Sequence, residues 1–224
     1  MMNSQSKTAA VFGATGLIGQ SLLRLLISEE RYSKVIAPTR NPLQMRLGKV
    51  ENPQFSFSSD LGLRISGATD IDDAFCCLGS TISKAGSQEK FAEIDLHAVV
   101  ACAKWTLERG AKHFLVVSSM GASAQSSVFY NRTKGQMEDA LKTLGFQRLS
   151  IFRPSLLLGE REDSRPLEKF SQAVAPFVNP FLKGSLRHYR AISSEVVAAA
   201  MLAEATRPSP PGVQTLLSGD IERI

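Results

Sequence analysis

Three glycines near the amino terminus constrain this chain more than any other feature. Gly13, Gly16 and Gly19 stand at G-x-x-G-x-x-G spacing in GATGLIG. The short apolar run 8–13 (TAAVFG) leads into them, and they open the segment 17–28, which carries Leu17, Ile18, Leu22, Leu25 and Leu26 at helical spacing. A strand that turns sharply into a helix needs glycine where φ becomes positive. A second glycine lets the backbone approach a diphosphate, and a third lets the helix pack closely on the sheet. The helix then offers free N–H groups and the positive end of its dipole. In this setting the motif points to a dinucleotide held by Gly13, Thr15, Gly16, Leu17, Ile18 and Gly19. The alternative is a tight turn with no ligand.

The rest of the chain alternates in the same way. Strands are expected at 34–39 (KVIAPT), 54–58 (QFSFS), 74–79 (AFCCLG), 113–118 (HFLVVS) and 148–153 (RLSIFR). Long helices are expected over 89–109, bearing Phe91, Ile94, Ala98, Ala101 and Trp105, and over 127–144, with Phe129, Thr133, Met137, Ala140 and Leu144 on one stripe; Trp105 and the many phenylalanines read most simply as core. A further helix, 194–206, and a last strand, 213–217, close the chain. Strands separated by helices imply right-handed crossovers and an α/β fold of Rossmann type, a doubly wound parallel sheet with helices on both faces. The expected organisation is a single domain, 1–224, with a cofactor-binding core at 1–154 and a small C-terminal substrate region at 155–224. Within that region, 155–190 read as loops and short helices over the carboxyl edge of the sheet.

Composition narrows the classes. Hydrophobic residues at 43% and charged residues at 21% exclude wholesale disorder. No apolar run approaches the roughly 20 residues of a membrane span, and residues 1–7 lack the apolar core of a secretory signal. The charge of 26 − 21 = +5 is scattered rather than gathered into a basic block, which argues against nucleic acid and suits an anionic cofactor. Cys76, Cys77 and Cys102 have no metal spacing and read as reduced buried thiols, hence an expected cytoplasmic location.

Thr39, Arg40 and Asn41 follow the second strand, where an NAD site usually places an acid on the ribose 2′-OH. The guanidinium of Arg40 suits a 2′-phosphate, which favours NADP(H) over NAD(H). Arg40 read blandly is a solvated charge before an Asn-Pro turn. Asp60 and Leu61 fall where the adenine would lie, although Asp60 could equally be a turn or cap residue. Leu78, Gly79 and Ser80 would pass the nicotinamide ribose, and Pro154 its carboxamide.

Tyr130 and Lys134 are four apart and share a helix face. A tyrosine is normally too weak an acid for neutral pH, and a neighbouring ammonium corrects that. Lys134 could also hold ribose hydroxyls, and Ser119, at the end of the fifth strand, could orient a carbonyl oxygen. His97 and His113 have no ligand spacing. His188 lies among Arg187, Tyr189 and Arg190, where a substrate contact or a solvated loop would fall.

The order of glycine turn, serine-ended strand and Tyr/Lys helix resembles the short-chain dehydrogenase/reductase superfamily in its atypical branch, and more closely the Tat-interacting-protein-type oxidoreductases. The carrying segments are FCCLGS (75–80) with Lys84-Ala85-Gly86, KHFLVVSSMGA (112–122), Tyr130 to Lys134 and FRP (152–154). The resemblance implies NADP(H) binding and a Ser119/Tyr130/Lys134 catalytic site, with Ser118 as the other candidate serine. Members often carry asparagine on the helix after strand four. Asp95 stands near that place here, which puts the asparagine proton relay in doubt. The expected function is hydride transfer to a small carbonyl substrate. The alternative is a cofactor-sensing regulatory protein with little turnover. Homodimerisation through the two long helices is expected by analogy.

Overall fold

The computed structural model describes residues 6–43, 48–58, 62–65, 70–155, 157–158 and 191–224. Eleven strands and seven α-helices run through them. The order is β1 (Lys7–Phe12), α1 (Leu17–Ser28), β2 (Tyr32–Ile36), β3 (Val50–Glu51), β4 (Phe55–Ser58), β5 (Gly62–Ile65), β6 (Asp73–Cys76), α2 (Ile82–Ala85) and α3 (Gln88–Ala92). A π-wound segment, Glu93–Ala98, joins α3 to α4 (Val99–Leu107). Then come β7 (His113–Val117), α5 (Phe129–Lys142), β8 (Arg148–Arg153), β9 (Leu157–Leu158), β10 (Ile192–Ser193), α6 (Ser194–Thr206), β11 (Gly212–Leu217) and α7 (Ser218–Ile221).

Seven parallel strands form the central sheet, in the order β11-β8-β7-β6-β1-β2-β3. Side chains alternate across it. Val11, Phe75, Leu115 and Phe152 meet Ile18, Leu22 and Leu26 of α1 and Val197 and Met201 of α6. Phe12, Cys76, Val116 and Ile151 meet Val99 and Cys102 of α4 and Met137 and Leu141 of α5. Strands buried on both faces must be continuously apolar, which β6 and β7 are apart from Asp73 and His113 at their starts. Each fully buried Leu or Phe contributes roughly 1.5–3 kcal/mol. The doubly wound parallel architecture expected from the sequence is therefore the observed one.

Two expectations are corrected. The third sheet strand is Val50–Glu51, not 54–58. Pro53 ends the pairing with β2, because it has no N–H to donate. Beyond one parallel bridge, Thr39 to Gln54, the chain leaves the sheet and β4 pairs antiparallel with β5 as a hairpin. The stripe on the first long helix is also rotated. The buried residues are Phe91, Asp95, Ala98, Val99, Cys102, Ala103 and Thr106. A π turn carries one extra residue, so every later position swings round the axis. Asp95 takes the inward place expected of Ile94. Trp105, expected in the core, is half-buried, edge-on to Phe12 with the Arg109 guanidinium 4.0 Å above its ring. Most of 155–190, including His188, lies outside the described residues. Cys76 and Cys102 are buried free thiols, and Cys77 is half-buried.

Polar groups gather at the amino edge of the sheet. Tyr32 and Lys7 both reach Asp73 Oδ2, each at 2.8 Å. His113 Nε2 lies 2.9 Å from Ser150 Oγ, which donates to Glu204 (3.2 Å), and Arg148 and Arg207 pair with the same Glu204. Burial first, then Arg148 and Lys7, pushes the His113 imidazole down to about 3. An unfolded chain takes up this proton near 6.5 and the folded one does not. Stability is therefore expected to fall as pH drops from about 6.5 towards 3, by roughly 1.4 kcal/mol per unit from this residue alone. In urea denaturation across that window, His113→Asn should show a shallower slope than the parent.

Candidate functional site

A groove of about 510 Å³ opens at the carboxyl edge of the sheet, where β1 is flanked by β2 on one side and β6 on the other. Open α/β sheets bind ligands at such a switch point. Gly13, Thr15 and Gly16 line it from the turn after β1, Pro38, Thr39 and Arg40 from the strap after β2, and Cys77, Leu78, Gly79 and Ser80 from the chain leaving β6.

The three glycines do three different things. Gly13 has φ +76°, and a Cβ there would lie 2.7 Å from the backbone of Cys77. At Gly19 a Cβ would stand 2.0 Å from the carbonyl oxygen of Gly13, so only glycine lets α1 approach β1 this closely. At Gly16 a Cβ would meet only that same oxygen, at 3.4 Å; the space beyond is open to the groove. The first turn of α1 has neither a side-chain cap nor an acid. This uncapped positive end beside an open cradle fits a diphosphate. Leu17 is half-buried at the head of the helix, while the Ile18 side chain is turned into the core. Arg40 is exposed at the groove and forms no ion pair among the described residues. Asp60 and Leu61 lie outside the described residues.

The groove also holds residues that the sequence reading assigned elsewhere. Phe55 and Phe57, taken with the other phenylalanines as core, line it from the hairpin. Lys84, Lys90, Glu93 and Ile94 line it from α2, α3 and the π segment. The FSF alternation marks a strand face, but nothing local says which way that face turns.

Gly79 links the groove to the Ser/Tyr/Lys positions. A Cβ there would lie 3.4 Å from Asp95 Oδ1 and 3.6 Å from Lys134 Nζ. Those two atoms form a buried ion pair at 2.8 Å, and the other Asp95 oxygen accepts the Ser80 N–H at 2.8 Å. Burial works against the charge on Lys134, but the pull of Asp95, and then of Tyr130, outweighs it and holds the ammonium above the usual lysine range. One turn earlier on α5, the Tyr130 ring is half-buried, 5.2 Å from the ring of Phe91.

The two candidate serines have different fates. Ser118 Oγ donates to Glu138 Oε1 at 2.5 Å, and Arg153 holds both oxygens of that fully buried carboxylate. Ser119 Oγ is shielded from water and has no hydrogen-bond partner among the described residues. Pro154 is buried, and its carbonyl accepts the Met120 N–H at 3.0 Å, so it anchors the chain after Ser119 and does not line the groove. The Glu138–Arg153 clamp had no sequence signal, because its partners lie on different elements.

Solved structures share this architecture at low identity. MoeE5 in complex with UDP-glucose and NAD has a TM-score of 0.65 at 16% identity, covering 93% of this chain and 75% of that one. A short-chain type dehydrogenase/reductase from Mycobacterium ulcerans has 0.65 at 15%, covering 97% and 90%. The human epimerase family protein SDR39U1 with NADPH has 0.60 at 18%, covering 94% and 74%. The fold is that of the Rossmann-type short-chain dehydrogenases and epimerases. No protein-family model matches the chain. Curated relatives are more specific. Protein FMP52-1, mitochondrial, of Scheffersomyces stipitis is 37% identical over 161 residues, 71% of each chain. Protein HTATIP2 of Rattus norvegicus is 35% identical over 169 residues, 73% of this chain and 68% of its own. The chain belongs to the HTATIP2/FMP52 family. The expected cytoplasmic location is overturned by the fungal relatives, which are named as mitochondrial proteins; thiol chemistry does not specify a compartment.

Removing Asp95 strands the Lys134 charge, whose side chain is only 4% exposed. Asp95→Ala should cost about 3–5 kcal/mol in urea denaturation at pH 7. Asp95→Asn, which can still accept the Ser80 N–H, should cost less.

Proposed function

We propose that the chain is an NADP(H)-dependent oxidoreductase acting on a small carbonyl compound. The observation that carries this reading is the convergence at Gly79. The groove that suits a dinucleotide ends on a residue whose missing side chain leaves Lys134 directly beneath it. Gly13, Thr15, Gly16 and the head of α1 would hold the diphosphate, Arg40 a 2′-phosphate, and Leu78, Gly79 and Ser80 the nicotinamide ribose. When bound, the cofactor supplies hydride.

The remaining chemistry belongs to the chain. Ser119, with an unpartnered hydroxyl, would donate to the substrate oxygen and orient it. Tyr130 would deliver the proton to that oxygen. Lys134, kept charged by Asp95, would hold ribose hydroxyls and supply positive potential towards the phenol. The half-buried Tyr130 ring keeps one face against Phe91, which limits its rotation.

A second reading has support of its own. The ammonium of Lys134 already faces a carboxylate at 2.8 Å, so much of its charge is neutralised before any substrate arrives. That favours a protein whose cofactor occupancy matters more than its turnover.

Two experiments decide these points. Arg40→Ala should weaken NADPH binding by roughly tenfold or more, the worth of a charge-assisted hydrogen bond, and leave NADH binding within about twofold. Titration calorimetry would show this, and an equal loss for both nucleotides would remove the 2′-phosphate role. Tyr130→Phe should keep NADPH affinity and abolish reduction of any aldehyde or ketone active in a panel followed at 340 nm. If the parent binds NADPH tightly and no carbonyl in the panel is reduced, the sensing reading takes precedence.

A further inference from the structure

One side chain outside the groove lining holds the strap that carries Arg40. Asn52 sits between β3 and Pro53. Its Nδ2 donates to the carbonyl of Ala37 at 2.6 Å and to Thr39 Oγ1 at 2.7 Å, and its Oδ1 accepts the N–H of Leu43 at 2.8 Å. Thr39 Oγ1 in turn donates to the carbonyl of Asn41 at 2.6 Å. The backbone adds two more ties, Thr39 N–H to Pro53 O at 3.2 Å and Phe55 N–H to Thr39 O at 2.9 Å. The strap is therefore pinned where it leaves β2 and again at Leu43, by three arms of a single amide. Between the pins Arg40 stands exposed, with no ion pair of its own among the described residues.

The chemistry of the amide explains the residue type. Two donors and an acceptor on one short, flat group satisfy two acceptors and one backbone donor at once. Aspartate has no N–H to donate, and an aliphatic side chain would leave the Leu43 N–H and Thr39 hydroxyl to other partners. A guanidinium gains its selectivity for phosphate from two parallel hydrogen bonds, and these require the backbone beneath it to be fixed. An arginine on a loose strap keeps its charge but loses that fork geometry.

We propose that Asn52 is a specificity-determining positioning residue, which fixes the 38–43 strap so that Arg40 is aimed at the 2′-phosphate of the nucleotide. The proposal rests on the Arg40 role given above, and the test separates the two. The probes are 2′,5′-ADP and 5′-ADP, which differ by the 2′-phosphate, titrated calorimetrically into the full chain. Four proteins are compared: the parent, Arg40→Ala, Asn52→Ala and the double variant. The parent should prefer 2′,5′-ADP, and Arg40→Ala should lose that preference. Asn52→Ala should lose roughly fivefold to tenfold of it while 5′-ADP affinity stays within about twofold. The double variant should discriminate no worse than Arg40→Ala alone, because Asn52 acts only through Arg40. A purely structural Asn52 would weaken both probes equally. That outcome, or an additive further loss of preference in the double variant, overturns the proposal. Absence of any preference in the parent overturns the Arg40 reading instead, and the proposal with it. Should Asn52→Ala fail to fold, the near-isosteric Thr39→Val cuts the same network from its other end. It should show the same loss of preference, and unchanged discrimination would count against the proposal.

Discussion

Backbone touches backbone where α1 crosses β1. Gly19 brings the helix to within contact of the Gly13 carbonyl, and Gly13 in turn lies against the backbone of Cys77. Three segments far apart in sequence or direction are thus locked at one point: the end of β1, the head of α1 and the exit from β6. A side chain at Gly19 would push the helix off the strand, and one at Gly13 would push the turn off the chain leaving β6. The groove follows from that lock. The head of α1 is presented to it uncapped, and Gly79, two residues beyond Cys77, falls where a side chain of its own would press on the buried Lys134–Asp95 pair.

Buried charge is used at both edges of the sheet. At the amino edge, Asp73 and Glu204 are surrounded by donors that keep the ends of β1, β6, β7 and β8 in register. At the carboxyl edge, Glu138 holds Arg153 and Ser118, and Asp95 holds Lys134 and the Ser80 N–H. A buried carboxylate is tolerated only when its oxygens are fully engaged. Beside these two arrangements the Ser119 hydroxyl has no hydrogen-bond partner among the described residues. Buried hydroxyls normally find one. The exception stands beside the serine that Glu138 already occupies.

Much of this was legible in the sequence because the signals were local. The glycine spacing, the apolar runs of β6 and β7 and the serine-ended strand each lie within a few residues, and the structure places the fold they imply. Helices Leu17–Ser28 and Ser194–Thr206 begin and end where their apolar periodicity does. Other features depend on long-range arrangement. The π turn is invisible to a 3.6-residue template, so the inward face of the helix was read as Ile94 rather than Asp95. Phe55 and Phe57 alternate as a sheet strand should, yet they lie on the β4–β5 hairpin; Pro53, which diverts the chain, precedes the pattern. What distinguishes Ser118 from Ser119 is the hydrogen bond of Ser118 to Glu138, held in turn by Arg153, and these partners sit on other elements.

The aromatic side of the groove is attached differently from the rest of its walls. Phe55 and Phe57 belong to a two-stranded ribbon that joins the seven-stranded sheet through a single bridge at Thr39 and Gln54, steadied by Phe55, Leu63 and Ile65 packing beneath α4. Ribbons of this kind have little stability of their own. Amide hydrogens in β4 and β5 are therefore expected to exchange through a local opening below the free energy of global unfolding, and those of β1, β6 and β7 only on opening of the sheet. The groove thus has one flank built into the sheet and one carried by the ribbon, and a flat ring system entering it would meet aromatic side chains on the ribbon side.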